Sequence, residues 1–202
     1  MNDMSMLLKN FITETYIKKT KFDYGSFIIP VYDTNFVRYL NAMQILMKKI
    51  DTKHIVQFEK EPHITILGGI KSILKENLKQ QLTKVKMKSF YVEIDNISLF
   101  RNINDVVILK CNSNQLNSLY RQLSNIPHVK LHKQFIPHIT IAYVKSGYGP
   151  KYLEVLKKYF KSGKLKVSVI QYSDNMGNKL KYKLKDSKGI KNVSTSNKTR
   201  LS

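Results

Sequence analysis

Apolar and polar positions along this chain follow two periods, and each period predicts one kind of element. Short apolar or alternating stretches predict strands at residues 26–31, 90–99, 106–110, 136–144, 164–171 and 179–184, and a further strand begins at His63. Apolar residues spaced three or four apart predict helices at residues 35–50, 73–82, 114–123 and 151–160. The second half repeats the order of the first, so the chain looks internally duplicated.

Strands and helices repeated in this order predict an α+β fold of two pseudo-symmetric lobes. Each lobe would be a small, mainly antiparallel sheet with helices on its outer face, and a groove would lie between the lobes. We expect one domain over residues 1–185, with lobes at roughly residues 20–100 and 101–185 and with exchange of strands between them allowed. Residues 186–202 have almost nothing to bury, which predicts a disordered basic tail.

The tetrapeptide His-Ile-Thr-Ile occurs twice, each time after a proline, and its residues are the candidate catalytic groups His63, Thr65, His138 and Thr140. In a strand, His and Thr share one face and the two Ile residues share the other. Because imidazoles titrate near neutral pH, one His would accept a proton from an attacking hydroxyl while the other protonates a departing oxygen. Each Thr hydroxyl would donate to a nonbridging phosphate oxygen. The alternative is a duplicated core motif whose polar face has no chemistry.

Other kinds of site find little support in the sequence. Glu61 precedes the first motif, but Ile136 occupies the equivalent place in the second, so the repeat supplies too few ligands for a typical zinc site. We therefore predict no metal and no cofactor. Neither GxxxxGK[ST] nor a GxGxxG after a strand is present, and Gly147-Tyr148-Gly149 predicts a turn rather than a phosphate cradle.

Composition sets limits on partners and on compartment. The 35 Lys and Arg residues against 14 Asp and Glu residues give a formal charge of +21, which favours polyanionic partners such as nucleic acids or nucleotides. The alternative is a set of solvated basic faces. A lone Cys111 forms no internal disulfide and is interpreted as a core residue. Residues 4–11 lack a signal-peptide pattern and no stretch predicts a membrane span, so we expect a soluble cytoplasmic protein with no membrane partner.

Two segments make the chain resemble a known family over roughly residues 20–185. They are Phe58-Glu59-Lys60-Glu61-Pro62-His63-Ile64-Thr65-Ile66-Leu67 and Pro137-His138-Ile139-Thr140-Ile141-Ala142-Tyr143-Val144-Lys145. The paired motifs resemble the 2H phosphoesterase superfamily, and in particular a phage-encoded branch with anti-CBASS cyclic-oligonucleotide phosphodiesterases. That resemblance implies metal-independent cleavage of 3′,5′ bonds in cyclic di- or trinucleotides, in a host cytoplasm if the protein is phage-encoded. It also implies attack by the neighbouring ribose 2′-hydroxyl, with the two histidines as base and acid in an order that the sequence leaves open.

The resemblance also nominates substrate-binding residues. Tyr24 matches an aromatic at the groove edge of the phage branch, and its alternative is an ordinary aromatic at a strand entry. Tyr143 has the parity of the Ile face, which favours a core role over base stacking. Lys145 would attract phosphates, or is simply solvated. The first motif departs from the Leu-Tyr-Gly that such proteins often carry, because Gly68 and Gly69 follow Leu67.

Two further functions stay open on the sequence. One is processing of RNA ends, either at 2′,3′-cyclic phosphates or at 2′,5′ bonds, and the basic charge suits this longer substrate. The other is a non-catalytic nucleotide sponge or RNA-binding module. The sequence does not define the oligomeric state.

Overall fold

The computed structural model describes residues 24–71, 75–85 and 87–185; the expected tail at 186–202 and the stretch 4–11 lie outside them. The strands of the described part are β1 (Gly25–Pro30), β2 (Ile55–Phe58), β3 (His63–Ile70), β4 (Phe90–Arg101), β5 (Asn104–Asn112), β6 (His138–Lys145), β7 (Gly163–Val167), β8 (Val169–Ser173) and β9 (Lys179–Lys183). Its helices are α1 (Thr34–Ile50), α2 (Lys75–Thr83), α3 (Asn114–Leu123) and α4 (Gly149–Tyr159).

The strands of the described residues form one antiparallel sheet in the order β7-β4-β5-β6-β3-β1-β8-β9, with β2 paired to β6. The sheet is strongly curled, which confirms the predicted α+β fold class. The two strands that carry the His-Ile-Thr-Ile motifs, β3 and β6, lie side by side at its centre. We call β3-β1-β8-β9 the first wing and β6-β5-β4-β7 the second wing.

The predicted strand at residues 164–171 is wrong, because it is two strands at opposite edges of the sheet. β7 pairs with β4 in the second wing, and β8 pairs with β1 in the first. Apolar alternation continues across the junction because it reports which side chains are buried and not which strand lies beside them. The short β2 was also missing from the prediction.

Neither wing is a continuous half of the chain. β4 belongs to the second wing, and β8 and β9 return to the first. A lobe boundary near residue 100 therefore does not coincide with the strand pairing, and the wings exchange strands.

Local signals in the sequence explain where the helices begin. Asp33 precedes α1 and its carboxylate accepts a hydrogen bond from the Phe36 N–H at 2.8 Å. Ser113 caps α3 in the same way, through the Gln115 N–H at 3.2 Å. None of the helices among the described residues is long and apolar enough to cross a membrane.

The core lies between the helices and one face of the sheet. α1 packs against β6 and α4, α3 packs against β3, and α4 packs against β4 and β5. The motif isoleucines Ile64, Ile66, Ile139 and Ile141 are at most 1% exposed, so their face of β3 and β6 is core. Burying each such side chain is worth about 1.5–3 kcal/mol. Cys111 is buried in this core, which raises the pKa of its thiol.

In the segment Gly147-Tyr148-Gly149, the backbone amides of the two glycines bind the side-chain carboxylate of Asp105. Asp105 is 2% exposed, and its Oδ2 accepts hydrogen bonds from the N–H groups of Gly147 at 3.0 Å and Gly149 at 2.9 Å. A Cβ on Gly149 would lie only 2.7 Å from that oxygen. The predicted turn is confirmed, and its amides are occupied by a carboxylate that ties the start of α4 to β5.

Replacing Asp105 with alanine should lower the free energy of unfolding by about 2–4 kcal/mol, because two charge-assisted hydrogen bonds are lost and two amides lose their partner. Urea denaturation followed by circular dichroism measures the change. The exposed Asp95, replaced with alanine, is the control and should stay within about 0.5 kcal/mol of the native protein. A loss below about 1 kcal/mol for Asp105→Ala would contradict the anchoring role.

Candidate active site

The two His-Ile-Thr-Ile motifs meet at the centre of the sheet. Ile64 of β3 is paired with Ile139 of β6. Continuing this antiparallel register by one residue in each direction sets His63 opposite Thr140 and Thr65 opposite His138. Directly opposed residues have Cβ atoms about 4.5–5.5 Å apart and diagonal ones about 7–8 Å. The four polar side chains therefore share the face turned away from the core, which we call the groove face.

Both motif histidines use the same ring nitrogen to hold their orientation. Nδ1 of His63 lies 2.7 Å from the Glu61 carbonyl oxygen, and Nδ1 of His138 lies 2.7 Å from the Ile136 carbonyl oxygen. An imidazole that donates its Nδ1–H to a carbonyl leaves Nε2 as the nitrogen for proton transfer. The local contacts thus hold both rings in the same tautomer.

The same hydrogen bond at a third histidine shows that it is a local effect of the preceding proline. Nδ1 of His128 lies 2.8 Å from the carbonyl oxygen of Ile126, in the sequence Ile126-Pro127-His128. His128 is followed two residues later by Lys130 rather than by Thr. His63 and His138 therefore differ from His128 in two features: the Thr two residues later and the pairing of their strands at the centre of the sheet. The ring contact is common to all three.

The two motif histidines have different surroundings. Burial lowers the pKa of His138, and the nearby positive charges of His63 and His132 lower it further, against the hydrogen bond to the Ile136 carbonyl, which raises it. Phe100 of β4 packs edge-on against the His138 ring at 4.8 Å between centroids. With its pKa lowered in this way, His138 favours the neutral form.

The neighbouring strands place different groups beside each histidine. Lys110 of β5, which is exposed, is paired with His138, whereas Pro30 of β1 is paired with His63. Beside His63 the charged neighbour is Glu61, whose pKa is lowered by its hydrogen bond to Lys179. The pseudo-twofold relation of the motifs is thus broken in the groove.

The two motif threonines differ in exposure. Thr140 is 9% exposed and is paired with Ile108 of β5, whereas Thr65 is half-buried and is paired with Ile28 of β1. Ile28 and Ile108 occupy equivalent places in the two wings. Two branched apolar side chains therefore flank the threonine hydroxyls and restrict water around them.

The predicted position of Tyr143 on the face of the motif isoleucines is wrong, because β6 contains a bulge. The register shifts between Val107 and Ile108, so that Ala142 is opposite Val107 and Tyr143 is opposite Val106. Ala142 and Val107 both lie in the core cluster. Tyr143, half-buried, therefore changes from the face of the motif isoleucines to the groove face, three residues beyond Thr140.

The remaining predicted substrate-binding residues lie at the margins. Tyr24 is half-buried and directly precedes β1, with the parity of Ser26 and Ile28 on the groove side. Lys145 is exposed at the last residue of β6, seven residues beyond His138 and so about 23 Å along the strand. The structure groups the four motif residues but places Lys145 far from them.

Of the two glycines after Leu67, Gly68 stands where Leu-Tyr-Gly has its Tyr, and Gly69 is the one with a packing reason. Gly69 has φ +75°, and a Cβ there would collide with the carbonyl oxygen of Val129. The Val129 N–H donates to the Gly69 carbonyl at 2.8 Å. The segment after α3 thus crosses β3 so closely that only glycine fits at residue 69.

Sequence reasoning missed several groove-face residues, among them Gln171. This side chain is 3% exposed, is paired with Ile28 and donates to Ser173 Oγ at 3.2 Å. The sequence shows Gln171 as a polar residue inside an apolar stretch. That pattern alone does not reveal a place on the groove face, because the neighbours of Gln171 come from strands far away in sequence. Among the described residues, no three His, Cys, Asp or Glu side chains are grouped so that they could hold a metal ion.

Comparison with protein families identifies one match. The family model described as the 2′-5′ RNA ligase superfamily matches residues 52–173, which include both His-Ile-Thr-Ile motifs. Comparison with curated protein sequences finds no match.

Solved structures share the fold at low sequence identity. Kluyveromyces marxianus Usb1 with uridine monophosphate has a TM-score of 0.56 and 8% identity, and the match covers 80% of this chain and 98% of that one. Escherichia coli LigT complexed with 3′-AMP has a TM-score of 0.54 and 14% identity over 81% of this chain and 95% of that one. The protein TT0787 of Thermus thermophilus gives a TM-score of 0.52 and 15% identity, with coverage of 81% and 99%.

Proposed function

Because the chain belongs to the 2′-5′ RNA ligase superfamily, whose 2H phosphoesterase members include phosphodiesterases, we propose that it cleaves nucleotide phosphodiester bonds with His63 and His138. The observation that carries the proposal is the central pairing of the two motifs. It supports the proposal because two imidazoles and two hydroxyls share one face of adjacent strands, where directly opposed side chains have Cβ atoms about 4.5–5.5 Å apart.

The proposed reaction uses a neighbouring ribose hydroxyl as nucleophile. The 2′-oxygen attacks phosphorus and its proton passes to Nε2 of one histidine, while the bond from phosphorus to the 5′-oxygen breaks and that oxygen takes a proton from the other histidine. Thr65 and Thr140 donate to nonbridging oxygens, where negative charge increases in the transition state. The products are a 2′,3′-cyclic phosphate and a free 5′-hydroxyl.

The unequal surroundings of the histidines support an assignment that the sequence left open. His138 is half-buried, packs against Phe100 and lies next to Lys110, and partial burial lowers its pKa, so we assign it as the base. His63, which lies beside Glu61, is then assigned as the acid. When two titratable groups differ in this way, each is suited to one role.

This assignment predicts the acidic limb of the pH profile. kcat/KM should rise with pH as His138 in the free protein loses its proton, and burial places that pKa below the ordinary histidine value, so the rate persists further into acid. Phe100→Ala, which opens His138 to water, should move the limb to higher pH. Initial rates across the pH range measure both, and a limb at or above the ordinary histidine pKa would contradict the assignment.

The finer proposal for the substrate is a cyclic di- or trinucleotide with 3′,5′ linkages, as in a phage protein that removes a host's CBASS signal in the cytoplasm. What supports it is the resemblance of the residues around His63 and His138 to that branch. The reaction as written needs no metal ion, so cleavage should continue in EDTA.

A second candidate substrate is the end of a linear RNA. It is favoured by the row of exposed lysines on β9, Lys179, Lys181 and Lys183, which share the groove side of the first wing. A polynucleotide should lose affinity steeply with added salt, because each neutralised phosphate releases counterions, whereas a cyclic dinucleotide should respond mildly.

One panel experiment tests these proposals. The native chain and a His63→Ala/His138→Ala variant are incubated in EDTA with cyclic 3′,5′-dinucleotides, cyclic trinucleotides and short RNAs ending in 2′,3′-cyclic phosphate, and products are separated by chromatography. Equal product release by both proteins would refute the two-histidine mechanism. Binding without turnover by both would leave the nucleotide sponge as the function.

A further inference from the structure

The first wing carries an exposed aromatic ring just beyond the end of β1, the strand that pairs with the His63 strand. Tyr32 follows β1 and is 55% exposed. Pro30, two residues earlier, is paired with His63, and the Val31 N–H donates to the Pro62 carbonyl at 3.0 Å. Because Val31 points into the core, Tyr32 has the groove-side parity of Pro30 and lies about 7 Å farther along the chain.

Two lysines from the edge strand β9 reach this same end of the groove. Lys181 places Nζ 5.0 Å from the centroid of the Tyr32 ring. Lys179 places Nζ 2.7 Å from Oε2 of Glu61, the residue whose carbonyl orients His63. Both contacts cross from β9 to the segments beside His63, because the sheet curls around its groove face.

The groove-side lysines at the two edges of the sheet have different kinds of partner. On β7 the corresponding Lys164 is paired with Glu93 at 3.1 Å, and Glu93 belongs to the adjacent strand β4. On β9, Lys179 is held by a carboxylate that is itself 75% exposed, and Lys181 lies over the face of the Tyr32 ring. Because the Glu61 carboxylate is exposed and the Tyr32 ring carries no charge, a phosphate can replace them as the partner of Lys179 and Lys181.

We propose that Tyr32, Lys179 and Lys181 form a subsite for the nucleotide that follows the reacting phosphate on the His63 side of the groove. The base stacks on the Tyr32 ring, and the next phosphate takes Lys179 from Glu61 and is also bound by Lys181. The subsite rests on the proposed function, since it extends the same substrate. A linear strand and a cyclic oligonucleotide both supply the required base and second phosphate.

A binding experiment with ligands that cannot react tests the subsite apart from catalysis. The ligands are a 2′-deoxy linear hexanucleotide and a 2′-deoxy cyclic dinucleotide, which lack the nucleophile, and a 3′-mononucleotide, which lacks the second phosphate. Affinity is measured by titration calorimetry at several salt concentrations. The variants are Tyr32→Leu, Tyr32→Phe and Lys179→Gln/Lys181→Gln, and the matched control is Lys164→Gln/Lys166→Gln on the opposite edge.

Tyr32→Leu and the β9 double variant should each weaken binding of the hexanucleotide about tenfold, while Tyr32→Phe stays within about twofold. Loss of the contacts to this one phosphate should reduce the salt slope by about 0.7. The β7 control and all affinities for the mononucleotide should change by less than about twofold. An equal effect on the cyclic dinucleotide assigns the subsite to both kinds of substrate, and an effect on the hexanucleotide alone assigns it to a strand.

Equal losses for the β9 and β7 variants would overturn the subsite in favour of general attraction to a basic surface. Equal losses for the mononucleotide and hexanucleotide would overturn it too, because the residues would then serve the central site. These results are distinguishable from failure of the proposed function. Selective binding without turnover leaves the subsite standing, and turnover with unchanged affinities removes the subsite alone.

Discussion

Replacing His138 with alanine should lower kcat/KM on a 3′,5′-linked nucleotide by about 10²- to 10⁴-fold, and replacing His63 should do the same. Each change removes one of the two proton transfers that the proposed reaction needs. The double variant should be little worse than either single one, because groups that act in one step do not contribute additively. Rates by quantitative chromatography, with thermal melting to verify folding, measure the effect.

A substrate with a good leaving group separates the two roles. The p-nitrophenyl ester of a nucleoside 3′-phosphate loses an anion that needs no proton, so His63→Ala should retain native activity within about tenfold. His138→Ala should stay inactive, because the 2′-hydroxyl still needs a base. The opposite pattern would reverse the assignment. His128→Ala is the matched control, since that ring makes the same Nδ1 contact away from the motif pairing, and it should keep full activity on both substrates.

The second large effect is expected at the threonines. Thr140→Val keeps the size and branching of the side chain but removes the hydroxyl, and kcat should fall by about 10²- to 10³-fold, as at other sites where one donor to a developing charge is lost. Thr65→Val should act similarly. Steady-state kinetics should show the loss in kcat rather than in KM, because the hydrogen bond strengthens only in the transition state.

Serine is the control that tests the hydroxyl itself. Thr140→Ser and Thr65→Ser keep the donor, so most of the lost kcat should return. If serine is as poor as valine, the threonine methyl group matters instead, through packing against Ile28 and Ile108. That outcome would remove the phosphate contact from the mechanism.

The elements themselves were largely predictable from the sequence, and their partners were not. The helix at Asn114–Leu123 was predicted at its observed bounds because its buried residues Leu116, Leu119 and Leu123 repeat at helical spacing. The stretch 164–171 satisfied the strand pattern over its whole length, yet the sheet divides it between two edges. Periodicity records burial along one segment, and pairing depends on segments far away in the chain.

The same limit applies to the site. The repeated tetrapeptide identified the four polar side chains at the centre, because the repeat was visible within the sequence itself. Tyr143 was assigned to the wrong face because parity assumes an unbroken ladder, and one extra residue in β6 reverses it. Tyr32 and Lys181 gave no signal, since nearly 150 residues separate two side chains that meet only when β9 curls over the groove.

The return of β8 to β1 also constrains how this chain acquires its shape during synthesis. Phe27 is paired with Tyr172, a partner that the ribosome adds 145 residues later. β1 must therefore wait with one edge unpaired until β8 has been synthesised. Contacts between such distant segments form slowly, so nascent chains of this protein should depend on chaperones more than a fold of the same size built from neighbouring hairpins.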